Sequence, residues 1–138
     1  MARARPFKLT APVIPEHPLQ RQVADVLRLE LGPPGKVSTA GVVWYCIDIA
    51  DYGGSVPGTR VGRGIIAGIP DLFILHRGRA HVIELKAANG ELSGAQRSVI
   101  AASICGGARV AVCRDAVEVL ACLDEWTIPR NRRVREAA

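Results

Sequence analysis

The stretch Val82-Ile83-Glu84-Leu85-Lys86 restricts this chain more than any other. It reads as a core strand, yet it carries a carboxylate and an ammonium at alternate positions. Side chains along a strand alternate between faces, so Glu84 and Lys86 point the same way. Charge on one face of a core strand costs free energy unless something compensates it. One strand earlier the chain runs Gly68-Ile69-Pro70-Asp71, a second carboxylate where an apolar strand begins. Any fold must therefore bring a compensating partner to this face. A divalent cation held by Asp71 and Glu84, with Lys86 beside it to meet a phosphate, satisfies that demand.

At 138 residues, 49% of them hydrophobic, the chain suits one domain with one core. Aromatics are only 4%, so that core is aliphatic, which favours α/β layers over a small β-barrel. A helix is predicted over 16–31: Pro18 is tolerated in its first turn, and Gly32-Pro33-Pro34-Gly35 ends it. Residues 42–49 are rich in β-branched and aromatic side chains and read as a strand. A long glycine-rich connection over 51–68 carries Arg60 and Arg63, and connections of that length are usually functional or mobile. Strands over 71–75 and 80–87, joined by Arg77-Gly78-Arg79, form a predicted hairpin. After the turn Ala88-Asn89-Gly90, Ser93 opens a helix with Gln96 three residues on, a capping-box pattern. That helix stops at Gly106-Gly107. A strand over 109–113 and a helix capped by Asp115, running to Trp126, complete the order α-β-β-β-α-β-α. A hairpin followed by a crossover helix and another strand gives a mixed sheet flanked by helices. The expected division is a basic extension over 1–15, one domain over 16–128, and a basic tail over 129–138.

The formal net charge is +5, and both ends are basic, with Arg3, Arg5 and Lys8 at one and Arg130, Arg132, Arg133 and Arg135 at the other. Such charge serves solubility, or it meets a phosphate backbone by displacing condensed counterions. Cys46, Cys105, Cys113 and Cys122 form no Cys-x-x-Cys pair, and no histidine stands at zinc-finger spacing. They are expected to be reduced core thiols of an intracellular, cytoplasmic protein. No apolar run is long enough to span a bilayer, and the basic start lacks the apolar block of a signal peptide.

Glu16 and Gln20 lie at the edge of the apolar stripe formed by Leu19, Val23, Val26 and Leu27 rather than opposite it. An N-terminal glutamate also simply favours the helix dipole. Gln96 heads an expected buried stripe of Val99, Ile100, Ser103 and Ile104, and its capping role is compatible with reaching a site at the strand ends. Singly, Asp71 is a turn residue after Pro70, and Glu84 with Lys86 is a surface ion pair of little worth. Together, on partner strands of one hairpin, they are far more specific, because the hairpin brings the two carboxylates close enough to share a cation.

At these residues the chain resembles the PD-(D/E)xK nuclease superfamily, and within it the VRR-NUC domains. Pro70-Asp71 matches the first half of the signature and Glu84-Leu85-Lys86 the second. Gly68 to Phe73 is similar to a longer version of that motif, and Leu92-Ser93 through Gln96 to the segment that follows it. Glu16 with Gln20 resembles the acidic motif of the family's first helix. The resemblance covers residues 16–126. The chain departs from some relatives in carrying Ile100 where they have a tyrosine, and in the unusual segment 48–54.

The resemblance implies a restriction-endonuclease-like core and phosphodiester hydrolysis assisted by Mg²⁺ or Mn²⁺. It implies Asp71 and Glu84 as metal ligands with the Leu85 carbonyl, Glu16 acting directly or through water, and Lys86 and Gln96 completing the catalytic set. Oxygen donors without a cysteine or histidine cluster suit those hard ions better than zinc. Arg60, Arg63, Gln20, Arg130, Arg132 and Arg133 are the expected DNA contacts. By analogy with short stand-alone relatives, the expected partner is branched DNA, a four-way (Holliday) junction cut by a homodimer. Flap, nicking or non-specific cleavage with the same site is the alternative, and a non-catalytic DNA-binding protein is a third.

Overall fold

The computed structural model describes residues 16–47 and 62–131. The terminal extension over 1–15, most of the connection into the second strand, with Arg60, and the tail from 132 onward, with Arg132 and Arg133, lie outside the described residues.

Helix α1 spans Glu16–Leu31, and Leu19, Val23, Leu27 and Leu31 recur at helical spacing along its buried side. Gly32 ends it in a left-handed conformation, φ 91°, that a side chain would oppose. Strand β1 follows at Val42–Cys46, then β2 at Leu72–His76 and β3 at Arg79–Leu85. Helix α2 covers Gly94–Cys105, β4 Arg109–Cys113 and α3 Ala116–Glu125. The element order is the predicted one. The strand limits differ slightly: β2 starts after Asp71, β3 ends before Lys86, and Arg79 belongs to β3 rather than to the turn. The sheet order is β1-β2-β3-β4. Its first two pairings are antiparallel, and β4 runs parallel to β3, so the sheet is mixed.

The β2–β3 connection is a two-residue turn in which Arg77 and Gly78 have φ of 50° and 73°. Two left-handed residues make a type I′ turn, whose twist matches that of the strands it joins. The turn sets the register in which Leu72 faces Ile83 and His76 faces Arg79.

One face of the sheet carries Val42, Trp44, Leu72, Ile74, Ile83, Leu85 and Cys113. These pack with Leu19, Val23 and Leu27 of α1 and Val119 and Leu123 of α3 into a single core. The second face carries Tyr45, Phe73, Leu75, Val82, Glu84 and Val112, as the strand registers require. Helix α2 lies on this side. Its expected buried stripe is not sealed: none of its residues is buried, and Ile104 is 55% exposed. The helix covers only part of the face, so Tyr45, Leu75 and Val112 also stay exposed.

All four cysteines are free thiols. Cys113 lies in the core as expected, Cys46 and Cys122 are half-buried and pack against it, and only Cys105, at the end of the uncovered helix, departs from the expectation in being exposed. No helix among the described residues is long and apolar enough to cross a membrane.

Candidate active site

The site forms where β2 begins and β3 ends. The hairpin register, continued one step past Leu72 and Ile83, sets Asp71 across from Glu84. The Asp71 carbonyl accepts the Ile47 N–H at 2.8 Å, and its carboxylate Oδ2 accepts the Leu85 N–H at 2.7 Å. Asp71 is thus fixed between the two strands it joins. Leu85 contributes backbone alone, since its side chain is buried in the core.

Glu84 is 3% exposed. Its Oε1 accepts Gln96 Nε2 at 2.5 Å and lies 3.7 Å from Lys86 Nζ. Its Oε2 is buried and has no hydrogen-bond partner. Burial first, and then the Asp71 carboxylate, push the Glu84 carboxyl up to about 7; Lys86 pulls the other way and Glu16 adds to the rise. Lys86 is itself buried, at 8% exposure. Its ammonium donates to Glu16 Oε1 at 3.4 Å, joining the first turn of α1 to the end of β3.

Gln96 holds two positions together. Its backbone N–H donates to the Ser93 hydroxyl at 3.1 Å, and its Oε1 accepts the Ser93 N–H at 2.9 Å, completing the capping box. The amide nitrogen left over reaches Glu84. The cap therefore fixes which way the amide points, and the helix end presents a donor to the buried acid.

Gly68 explains how α2 comes so near. Its φ is +86°, and a Cβ there would lie 2.4 Å from the Ala95 carbonyl carbon and 2.6 Å from the Gln96 nitrogen. Only a glycine lets this loop rest on the first turn of α2. Arg114 performs a similar task at the exit from β3, where its guanidinium donates to the carbonyls of Ala87 at 2.6 Å and Gly90 at 2.8 Å. The Lys86 N–H meets the Cys113 carbonyl at 3.0 Å. Arg114 has no motif around it, so sequence reasoning passed it over. Gly68 stands in a recognisable motif, but its contact depends on where α2 lands.

The structure thus brings Asp71, Glu84, Lys86, Gln96 and Glu16 to one place, with Leu85 between. Gln20, one turn after Glu16 on α1, lines a groove together with Cys46. Arg63 is exposed on the segment leading to Gly68. Arg130 is elsewhere and engaged: its Nε lies 3.3 Å from buried Glu30 and 3.4 Å from Asp124. It ties the chain end to α1 and α3 instead of projecting to a phosphate, a correction to its expected role.

The donor set fits a small hard cation. Glu84 Oε2 is an orphaned buried oxygen, and Asp71 faces it across the hairpin. Among the described residues no group of three or more His, Cys, Asp and Glu side chains could hold a metal ion. Glu16, expected as a ligand, instead meets the Lys86 ammonium. Two carboxylates with backbone and water suit an ion that keeps part of its hydration shell, as Mg²⁺ does.

An acid at the start of one strand, an acid and a lysine two residues apart on its hairpin partner, and a mixed sheet between helices together define a PD-(D/E)xK-type core. Residues 59–116 match the family model of the VRR-NUC domain. That segment is similar to VRR-NUC domains, and a VRR-NUC domain implies a nuclease of the PD-(D/E)xK type with DNA as substrate; the match holds Asp71, Glu84, Lys86 and Gln96 and leaves out α1 with Glu16. No curated protein matches the chain significantly, and neither does any solved structure.

Proposed function

We propose that this domain is a divalent-metal-dependent, structure-selective DNA endonuclease that works as a homodimer on four-way junctions. The observation that carries the metal-dependent reading is the buried, partnerless Oε2 of Glu84, set across a hairpin from Asp71 and beside an ammonium. Asp71, Glu84 and the Leu85 carbonyl would hold Mg²⁺ or Mn²⁺, which would supply Lewis-acid polarisation of the scissile phosphate and an acidified water. Gln96 locks the Glu84 carboxylate in one orientation. Lys86 stabilises negative charge growing on the phosphoryl oxygens. Glu16 keeps the Lys86 side chain extended toward the cluster. Arg63 grips backbone phosphates without reading bases.

Two-fold symmetry of a four-way junction calls for an isologous pair of subunits. The incompletely covered second face of the sheet, with Tyr45, Leu75 and Val112 on the side that bears Glu84, supports such a pairing. The free thiols support an intracellular setting.

The test is incubation with a labelled four-way junction in Mg²⁺ and then in EDTA, beside matched flap, nicked and duplex substrates. Paired symmetric cuts in the junction, abolished by EDTA, are expected. Glu84→Ala and Lys86→Ala should each lower the cleavage rate about a thousandfold, a loss near 4 kcal/mol in transition-state stabilisation, while binding in chelator persists. Preferential cutting of flaps or plain duplex would move the substrate to the alternative class. Near wild-type cleavage by either variant would overturn the site.

A further inference from the structure

A groove of about 440 Å³ runs between α1 and the edge strand β1. Both of its walls begin at the active site. On the strand side, Cys46 pairs with Leu72, the neighbour of Asp71. On the helix side, His17 follows Glu16, whose carboxylate meets Lys86. His17, Arg21 and Arg28 all line the groove. Their spacings of four and seven residues place them on one face of α1, in a single row about 16 Å long at 1.5 Å per residue. Arg21 has no carboxylate partner among the described residues. Arg28 donates to Asp25 at 2.9 Å, an exposed pair that also lines the groove. Such a pair contributes little to stability and exchanges readily for another anion.

We propose that this groove is a phosphate track, which leads a single nucleic-acid strand along α1 into the carboxylate site. The inference rests on the nuclease reading and adds to it the path of the strand beyond the scissile phosphate. A single row of basic side chains, with Arg21 and Arg28 its fixed charges, matches the phosphates of one strand rather than the two rows that border a duplex groove. The floor reads no bases. Trp44, the aromatic there, is 1% exposed, and its indole N–H is engaged by the Gly32 carbonyl at 2.9 Å. It offers neither a stacking face nor a free donor, so contact along the track is with the backbone and independent of base identity.

The experiment measures binding of a labelled ten-nucleotide oligothymidylate by anisotropy, in EDTA, across a salt series. Each phosphate contact on a single strand contributes about 0.7 to the slope of log K against log salt. Arg21→Ala/Arg28→Ala should lower the slope by about 1.4, or about 25-fold in affinity at 0.1 M relative to 1 M salt. Arg77→Ala/Arg79→Ala, at the opposite end of the sheet, should leave it unchanged. Asp25→Asn, which removes the competing anion, should tighten binding. An unchanged slope in the first variant, an equal loss in the second, weaker binding by Asp25→Asn, or absence of oligothymidylate binding by the unaltered protein would each overturn the track. Hydrolysis of bis(p-nitrophenyl) phosphate with Mn²⁺, a substrate too small to reach Arg21, is measured in parallel. Turnover by the unaltered protein and by Arg21→Ala/Arg28→Ala alike keeps the nuclease reading whatever the binding series shows. Its absence in both counts against that reading and leaves the binding result to judge the track.

Discussion

Glu84 sits where folding would ordinarily place a valine. Its carboxyl is pushed up to about 7 from 4.5, mainly by burial. The folded state therefore keeps a proton that the unfolded chain has already released. That preference stabilises the fold fully below about 4.5 and is lost as the pH rises to about 7. Above it, the buried carboxylate is a net cost in the absence of a cation. Glu84→Gln keeps the shape and removes the charge. It should raise Tm at pH 8 in EDTA by several degrees, about 3–5 °C for each kcal/mol in a domain this size, and much less at pH 5. An equal gain at both pH values in melts followed by circular dichroism would refute the charge-based account. The alternation of Glu84 and Lys86 was legible because strand geometry dictates it. The burial of Arg130 was not: a basic tail residue looks alike in sequence whether it faces solvent or, as here, lies against Glu30 and Asp124.

At the level of elements, the boundaries of α1, α2, β4 and α3 follow from caps and periodicity, which are local. The Ser93–Gln96 capping box was legible for that reason. What could not be read was that the same glutamine also donates to Glu84, because this depends on how close α2 approaches the sheet. Ser93→Ala removes the cap and should cost about 1 kcal/mol. The Ser93 N–H that holds Gln96 Oε1 remains in this variant, so cleavage should fall less than stability does. Gln96→Glu would bring a second carboxylate to Glu84 and should lower cleavage more than it lowers Tm. Gly68→Ala tests the approach itself. Its methyl would meet the Ala95 backbone, so loop or helix must shift. A left-handed alanine combined with overpacking should cost about 2–4 kcal/mol, visible as a lower denaturant midpoint. A midpoint unchanged from that of the unaltered protein would show that α2 does not rest on this loop.

Across the whole molecule the two faces of the sheet are unequal. One is closed by α1 and α3 around Trp44, Leu72 and Ile83. The other has α2 over only part of it and leaves Tyr45 41% and Leu75 38% exposed. Composition alone does not reveal this, since the apolar residues are present in either case and only the lie of α2 decides what is covered. A native mass near twice 14.7 kDa is expected for the proposed homodimer, and Tyr45→Lys/Leu75→Lys should return it to the monomer value with the far-UV spectrum preserved. A monomer mass on junction DNA would remove the symmetric-cut proposal and leave the catalytic cluster untouched.

The tight turn at Arg77-Gly78 stands far from the chemistry, yet it acts as the ruler by which the chemistry is measured out. Lengthen it by one residue and β3 slides half a pleat: Glu84 would be driven into the core site of Leu85, and Ile83 would stand in its place opposite Asp71. A gap opened opposite positions 77 and 78 in an alignment would mark a protein that keeps the shape of the fold and has surrendered the reaction.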